Sequence, residues 1–278
     1  MKTSCAGTIR GLWDELNQGL FPGIDDNIGE LDAAHRLFMA VCEAMIRPRE
    51  FDYAKWKGNG RPPASRLKIF KAFHLKAVLN VKDTKELVRM LRAEPLSRRL
   101  CGWDSPGLVP SQSRFSRVFG EFAERGFTDA WFAEMIVKYH GDIPAETVSY
   151  DSAPVEVRTR AANAKRRLAR LDPDQPPPPS PISVQGTRDA EPIRAAYAEL
   201  GTVAVIDANP RRSAEAHDMS ELEREVYRDR SAAERFFSHL LESHGGRTVR
   251  VRAPAKVALH LLLGTIVVAV EQMLRMVC

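Results

Sequence analysis

Residues 64–80 read ASRLKIFKAFHLKAVLN, and the spacing of apolar residues in this stretch decides how the first half of the chain folds. The apolar residues recur at the spacing of one helix face and are expected to face a core: Leu67, Phe70, Phe73, Leu75 and Val78. The basic residues between them are expected to face solvent: Arg66, Lys68, Lys71 and Lys76. The stretch therefore predicts an amphipathic helix with a cationic outer surface.

Further helical patterns lie on both sides of this stretch, at residues 28–46, 85–93, 113–125 and 129–141. Asp83 and Thr84 offer an N-cap to the second pattern, and Thr128 offers one to the last. Between the first pattern and the quoted stretch, KWKGNGRPP combines turn residues with cations and predicts a basic loop. The sequence therefore predicts a helical, basic module over residues 1–143.

Such a module has two possible functions, which the residues alone leave open. It can place one helix in the major groove of DNA, with lysines and arginines on phosphates; Lys55, Lys57 and Arg61 of the basic loop are candidates for these contacts. Alternatively, the cations form a solvated face on a domain that serves only for packing.

The composition sets broad limits on the fold and on partners. The chain has 278 residues, 44% of them hydrophobic, which is enough to form the core of one large domain or two small ones. Its formal charge of +5 favours polyanionic partners or simple solubility. Four widely spaced cysteines indicate neither a zinc site nor a disulfide framework, so a reducing, cytoplasmic location is expected.

The apolar run 257–270 is shorter than the ~20 residues of a membrane span. It predicts a buried helix, without membrane contact.

The pattern changes after residue 143 and predicts a mixed α/β domain over residues 144–278. Strands are expected at residues 146–152, ending near Asp151, and at 203–207. Residues 171–184 contain a proline tract that interrupts the domain as an extended linker. Beyond residue 220 the patterns predict a helix to about residue 241, a short strand or extended edge at 247–252, and a helix from about 254 to 276.

Two carboxylates in this second half are candidates for chemistry: Asp151 at the end of a predicted strand, and Glu234 in an arginine-rich helix. Carboxylates from different elements can hold the two metal ions that phosphoryl transfer requires. Equally, Asp151 can cap a turn, and Glu234 can pair with Arg230 or Arg235 on a solvent face.

The sequence resembles bacterial insertion-sequence transposases of the DDE type. The resemblance is carried by VSYDSAPVE at 148–156, PIRAAYAELGTVAVIDANPRR at 192–212, and YRDRSAAERFFSHL with the segment that follows it to residue 276. Residues 70–122 resemble the helical module that precedes the catalytic domain. The resemblance implies a truncated ribonuclease H-like α/β domain behind a helical DNA-binding module. It also implies Mg²⁺ (or Mn²⁺) as cofactor, and transposon terminal inverted repeats and target DNA as partners, with a possible homodimer.

Carried over by position, the resemblance implies catalytic and metal-binding roles for Asp151 and Glu234, and DNA contacts for Tyr227, Arg230 and Arg235. The position of the second acid holds Gln185, which binds a divalent cation far less well than a carboxylate does. The interval before Gln185 is short for the family, which suggests an internal deletion. Strand cutting is therefore expected to be absent or very slow in this copy. The alternative is a non-catalytic DNA-binding remnant that regulates intact copies.

Overall fold

The computed structural model describes residues 5–28, 30–54, 58, 62–140, 221, 224, 230–247 and 249–276. The described residues belong to two compact units. The first contains residues 5–140 and 235–276, apart from the gaps just given. Of the second, residues 221, 224 and 230–234 are described, and all of them are helical. The fold described below is that of the first unit.

The described elements are helices. In chain order they are α1 (Cys5–Glu15), a π-helical segment (Leu16–Leu20), α2 (Phe21–Ile28), α3 (Ala33–Met45), a 3-10 segment (Pro48–Ala54), α4 (Arg66–Val78), α5 (Thr84–Ala93), α6 (Pro95–Leu100), a 3-10 turn (Pro106–Leu108), α7 (Gln112–Arg125), α8 (Phe127–His140), α9 (Arg230–Ser243) and α10 (Pro254–Arg275). The first half is therefore helical in the described residues, as predicted.

Local hydrogen bonds explain where several of these helices begin. The carboxylates of Asp32 and Asp83 accept the backbone N–H groups three residues on, at 2.7 and 2.9 Å, and so cap α3 and α5. The cap predicted at Asp83 is therefore confirmed. The cap predicted at Thr128 is wrong, because α8 already begins at Phe127, directly after Gly126 turns the chain with a φ of +64°. Thr128 is instead buried inside the first turn.

The centre of the unit is α10, which packs against α3, α4, α7 and α8. Its inward residues are almost fully buried: Leu259, Leu263, Ile266, Val267, Val270 and Met273. By length and composition alone α10 could cross a membrane, a test that the core helices of soluble proteins also pass. The prediction of a buried helix over residues 257–270 is confirmed, since α10 lies in the same hydrophobic core as the N-terminal helices.

An aromatic cluster joins α4, α7, α8 and the Pro48–Ala54 segment. Phe70 of α4 lies at the middle of this cluster. The centroid of its ring is 5.3 to 5.7 Å from the ring centroids of four neighbours: Phe51, Phe122, Phe127 and Trp131. Most of these pairs meet edge to face or tilted, which is the arrangement that aromatic rings prefer. Phe70, predicted to face the core, is fully buried.

The prediction that α4 has a solvent-facing side near its end is wrong for Lys76, of which only 8% is exposed. Helices α3, α7 and α10 all contact α4, together with the Pro48–Ala54 segment. Residues 72–78 are consequently all buried, whatever their polarity. The outer surface predicted for α4 becomes the base of a cavity.

The predicted mixed α/β, ribonuclease H-like fold is contradicted by the described residues, which are predominantly helical and include no strand. At residues 247–252, where a short strand or edge was expected, the described residues form only an isolated bridge at Val249. Val249 is buried while Arg250 and Arg252 are exposed, so the alternation of the sequence is followed in burial, although the described residues here form no strand. The segments predicted as strands at 146–152 and 203–207, and the linker at 171–184, lie outside the described residues.

Candidate nucleic-acid interface

A cavity of about 460 Å³ lies between α4, the start of α5, the first half of α7 and residues 244–263. We call it the cationic cavity, because the described residues that line it include six lysines and arginines but a single carboxylate. The cations are Lys76, Lys82, Lys85, Arg250, Arg252 and Lys256. Its apolar base includes Phe73 and Phe119, whose ring centroids are 4.6 Å apart. Walls of this kind concentrate positive potential on a bound anion.

Lys76 is the buried cation of the cavity. No described residue accepts a hydrogen bond from its ammonium group, although only 8% of the residue is exposed. Burial lowers the pKa of Lys76 to about 8, and Asp83 partly offsets that effect while Arg250 adds to it. The ammonium is therefore mostly charged at neutral pH, in a place where a charge without a counter-ion is costly.

The carboxylate of the cavity is already occupied. Asp83 caps α5 and also pairs with Arg250, whose Nη1 lies 3.2 Å from Asp83 Oδ2. The backbone N–H of Glu86 contributes most to holding the pKa of Asp83 below its usual value, and Arg250 contributes as well. In the described part of the chain, no carboxylate lies within ion-pair distance of Lys82, Lys85 or Arg252. The positive charge of the cavity is thus largely uncompensated.

Two histidines complete the wall formed by residues 244–263. His260 donates from Nε2 to the carbonyl oxygen of Gly245 at 3.0 Å, and His244 donates from Nδ1 to that of Ala77 at 3.1 Å. Burial is the main cause that lowers the pKa of His260 to about 4, and the charge of Lys76 also lowers it. His260 is therefore neutral at pH 7, and the lysines and arginines carry the charge of the cavity.

The first half of α7 presents a polar surface beside the cavity. Gln112, Ser113, Ser116 and Arg117 are exposed, while Phe115 and the apolar residues one turn later are buried. Gln112 and Ser116 also line the cavity, so this surface and the cations are continuous. Glutamine, serine and arginine are side chains that can hydrogen-bond to base edges in the major groove.

The structure describes only some of the residues predicted to act on DNA. Arg230, Glu234 and Arg235 lie in α9, and both Glu234 and Arg235 are exposed. The others lie outside the described residues: Asp151, Gln185, Tyr227, Lys55, Lys57 and Arg61. Because Asp151 lies outside the described residues, the roles predicted for Asp151 and Glu234 in catalysis and metal binding stay predictions.

Sequence reasoning missed the cationic cavity. A local signal existed, since Lys76, Lys82 and Lys85 are close in the chain and Arg250, Arg252 and Lys256 form a second group. Nothing in the sequence shows that these two groups meet, because the meeting depends on α10 packing against α4.

Comparison with known proteins identifies part of this unit. Comparisons of the chain with curated proteins and with solved structures give no match. A family model described as "Transposase domain (DUF772)" matches residues 31–121, about a third of the chain. The match spans α3 to most of α7 and contains the α4, α5 and α7 residues of the cationic cavity. It supports a transposase-related protein with a function in transposition.

Proposed function

We propose that the protein binds double-stranded DNA in the cytoplasm, at the terminal inverted repeats of a transposon. The observation that carries the proposal is Lys76, a buried lysine that lacks a hydrogen-bond acceptor among the described residues and lines a cavity rich in other cations. Such a site is unfavourable when empty and is completed by an anionic group the size of a phosphate. The transposase-domain match to residues 31–121 supports the DNA backbone as the source of that phosphate.

In this proposal α7 supplies base recognition. Gln112, Ser113, Ser116 and Arg117 form the exposed first half of the helix, and recognition helices use residues near the N-terminus to contact base edges. Glutamine pairs well with adenine and arginine with guanine. A phosphate in the cationic cavity would fix the register of α7 in the major groove, because backbone contacts position a protein while base contacts select the sequence.

A binding assay with matched charge variants tests this proposal. Fluorescence anisotropy with labelled duplexes from the DNA flanking the gene would follow binding as salt is raised. Lys82→Ala/Lys85→Ala removes two cations of the cavity and should weaken binding to every duplex, lowering the magnitude of the log–log salt slope by about 2. Arg117→Ala should instead reduce the preference among duplexes.

The matched control is Arg99→Ala/Lys138→Ala. It removes the same charge from exposed positions of α6 and α8, neither of which lines the cavity. This control should leave more of the affinity and salt slope intact than the cavity variant does. Equal losses in the two variants would contradict the proposed interface and would indicate binding by net charge alone.

We also propose that this chain does not cut DNA efficiently. Of the three acid positions implied by the resemblance to DDE transposases, one holds Gln185, and an amide is a poor ligand for Mg²⁺. Purified protein with Mg²⁺ or Mn²⁺ should bind its flanking duplexes without nicking them, and Glu234→Gln should bind equally well. Specific nicking that Glu234→Gln abolishes would overturn this proposal and restore a catalytic role for Glu234.

A further inference from the structure

Three metal-ligating side chains meet between the end of α9 and the last turns of α10. They are His239, His244 and Glu271. The Nε2 atoms of the two histidines are 3.3 Å apart, and Glu271 Oε2 lies 2.5 Å from the first and 3.9 Å from the second. One ligand atom from each of the three residues lies within 4.8 Å of the other two.

The end of α9 is built so that His244 reaches this position. The backbone N–H groups of Gly246 and Arg247 return to the carbonyls of Leu240 and Leu241 at 3.1 Å, and Gly245 has a φ of +81°. This is a glycine-dependent helix end, and it turns His244 back over α10. Gly264 permits the close approach, since a Cβ there would lie 2.7 Å from the carbonyl oxygen of His244.

The hydrogen bond of His244 selects which of its nitrogens is free to bind. Nδ1 lies 3.1 Å from the carbonyl oxygen of Ala77, which can only accept, so Nδ1 carries the proton and Nε2 presents its lone pair to the group. Metal-binding histidines usually donate the second ring nitrogen to a carbonyl or carboxylate, because this bond fixes the tautomer and the ring orientation. The side chain of His244 is only 4% exposed, so burial and the hydrogen bond of Nδ1 together fix the orientation of the ring.

We propose that His239 Nε2, His244 Nε2 and a carboxylate oxygen of Glu271 bind one Zn²⁺ ion, which fastens the end of α9 to α10. Imidazole and carboxylate are ordinary zinc ligands, and two histidines with one glutamate form a known three-ligand set that leaves a fourth position for water. Tetrahedral bonds of 2.0–2.1 Å place neighbouring ligand atoms about 3.3 Å apart, which matches the 3.3 Å between the two histidine nitrogens.

The third ligand needs a small adjustment. His239 and Glu271 share a hydrogen bond of 2.5 Å, so their atoms must separate by about 0.8 Å. The proton between them leaves for solvent, and the His239 ring binds as the neutral tautomer with its proton on Nδ1. The side chains of His239 and Glu271 are 32% and 25% exposed, which allows both this movement and entry of the ion. Arg275 Nη2 is 3.7 Å from Glu271 Oε2 but is largely solvent-exposed, so it can move aside.

Two cysteines and two further histidines in the described part of the chain are poorly placed for this role. Cys42 and Cys101 are buried, and burial raises the pKa of both thiols, that of Cys42 to about 12. They are therefore unlike the low-pKa thiolates that bind metals. His74 is fully buried beside Phe70, and His260 is bonded to Gly245.

Calorimetric titration of the full chain, stripped with a chelator and free of DNA, tests the proposal. The wild type should bind one Zn²⁺, and free zinc at one hundred times the Kd should raise the Tm by roughly 5 to 10 °C. Co²⁺ should give the intense visible absorption of a tetrahedral site. Mg²⁺ should not compete, because it prefers an all-oxygen site.

The variants His239→Gln and Glu271→Gln remove one ligand each from partly exposed positions and should remain folded by circular dichroism. Each should lower zinc affinity at least about a hundredfold, since loss of a supporting hydrogen bond alone costs 10- to 100-fold. His260→Gln is the matched control, with a histidine of α10 that faces Gly245 and not the group. No zinc binding by the folded wild type, or equal binding by all variants, would overturn the proposal.

Discussion

Lys76→Met is expected to stabilise the protein and, at the same time, to weaken its binding to DNA. Burial lowers the pKa of Lys76 from 10.5 to about 8, which corresponds to a cost of roughly 3 kcal/mol for holding the charged form in the folded state at neutral pH. Methionine fills a similar volume without the charge. We therefore expect the free energy of unfolding to rise by about 1–3 kcal/mol.

The loss of DNA affinity follows from the same burial. A phosphate in the cationic cavity would supply the hydrogen-bond acceptor that Lys76 lacks among the described residues, and a charge-assisted hydrogen bond is worth about 1.5–3 kcal/mol. Lys76→Met should thus weaken DNA binding roughly 10- to 100-fold. A residue that lowers stability while it strengthens binding is typical of functional sites, where stability and activity are traded against each other.

Lys71→Met serves as the control, because Lys71 belongs to the same helix but does not line the cavity. Urea denaturation and anisotropy titration would be measured for both variants at the same salt concentration. Lys71→Met should change both quantities much less than Lys76→Met does. If Lys76→Met were stabilised but bound DNA as tightly as the wild type, the cavity would not be the phosphate site.

The titration of Lys76 gives a second check on the gain in the free energy of unfolding expected for Lys76→Met. Since its folded pKa lies below its unfolded value, the cost is fully present below about pH 8 and disappears as pH approaches 10.5. The stability difference between Lys76→Met and the wild type should therefore shrink between pH 8 and 10.5. The variant should also raise the pKa of His260, which the charge of Lys76 helps to lower.

The helical half of the fold is predictable from local pattern because each helix carries its own periodicity and often its own cap. The periodicity of residues 64–80 predicted α4 and placed Phe70 and Phe73 in the core. It misplaced Lys76, because the helix that covers this side of α4 is α10, which begins only at residue 254. Single-sequence periodicity assumes one buried face, and α4 is enclosed on several.

The strand predicted at residues 247–252 is the reverse case, in which burial was predicted correctly and secondary structure was not. Alternation of Val and Arg indicates that alternate side chains are buried, and Val249 and Arg250 follow this pattern. A strand also needs a neighbour for its hydrogen bonds, and no local pattern reveals whether one exists. The described residues here form only a single bridge at Val249, so the alternation was interpreted correctly for burial and wrongly for secondary structure.

The proposed zinc site could not be found by spacing. His239 and His244 are five positions apart, whereas ligands on one helix face are three or four apart. His244 joins the group only because Gly245 and Gly246 end α9 and turn the chain back. The third ligand, Glu271, comes from α10. The sequence shows the three residues, and the helix end brings them together.

Acid is expected to destabilise the protein mainly through two buried histidines. Burial lowers the pKa of both His74 and His260 from 6.5 to about 4. The folded state holds both histidines neutral, whereas the unfolded state protonates them below about pH 6.5. Their contribution to the free energy of unfolding is therefore fully present above about pH 6.5 and is lost as pH falls towards 4. Each contributes roughly 3 kcal/mol over that range, so together they give the steepest part of the acid transition.

His74→Leu isolates half of this effect. His74 Nδ1 donates to the carbonyl oxygen of Phe70 at 3.1 Å, but its buried Nε2 has no hydrogen-bond partner among the described residues, so a leucine of similar size should cost little at pH 7. Urea denaturation between pH 7 and 4.5, with chelator present, should show about half the wild-type loss of stability. Carboxylates such as Asp83, whose pKa lies below its usual value of 3.8, act only at lower pH and do not obscure this window.

Phe70→Leu provides the matched control for the pH series, since it changes the neighbouring core position without removing a titratable group. It should lower the free energy of unfolding by about 1 kcal/mol or more at every pH, because Phe70 lies at the middle of the aromatic cluster. Its pH profile should stay parallel to that of the wild type, while the profile of His74→Leu should be flatter. Parallel profiles for both variants would show that His74 becomes protonated without unfolding the protein, and that its burial does not set the acid limit.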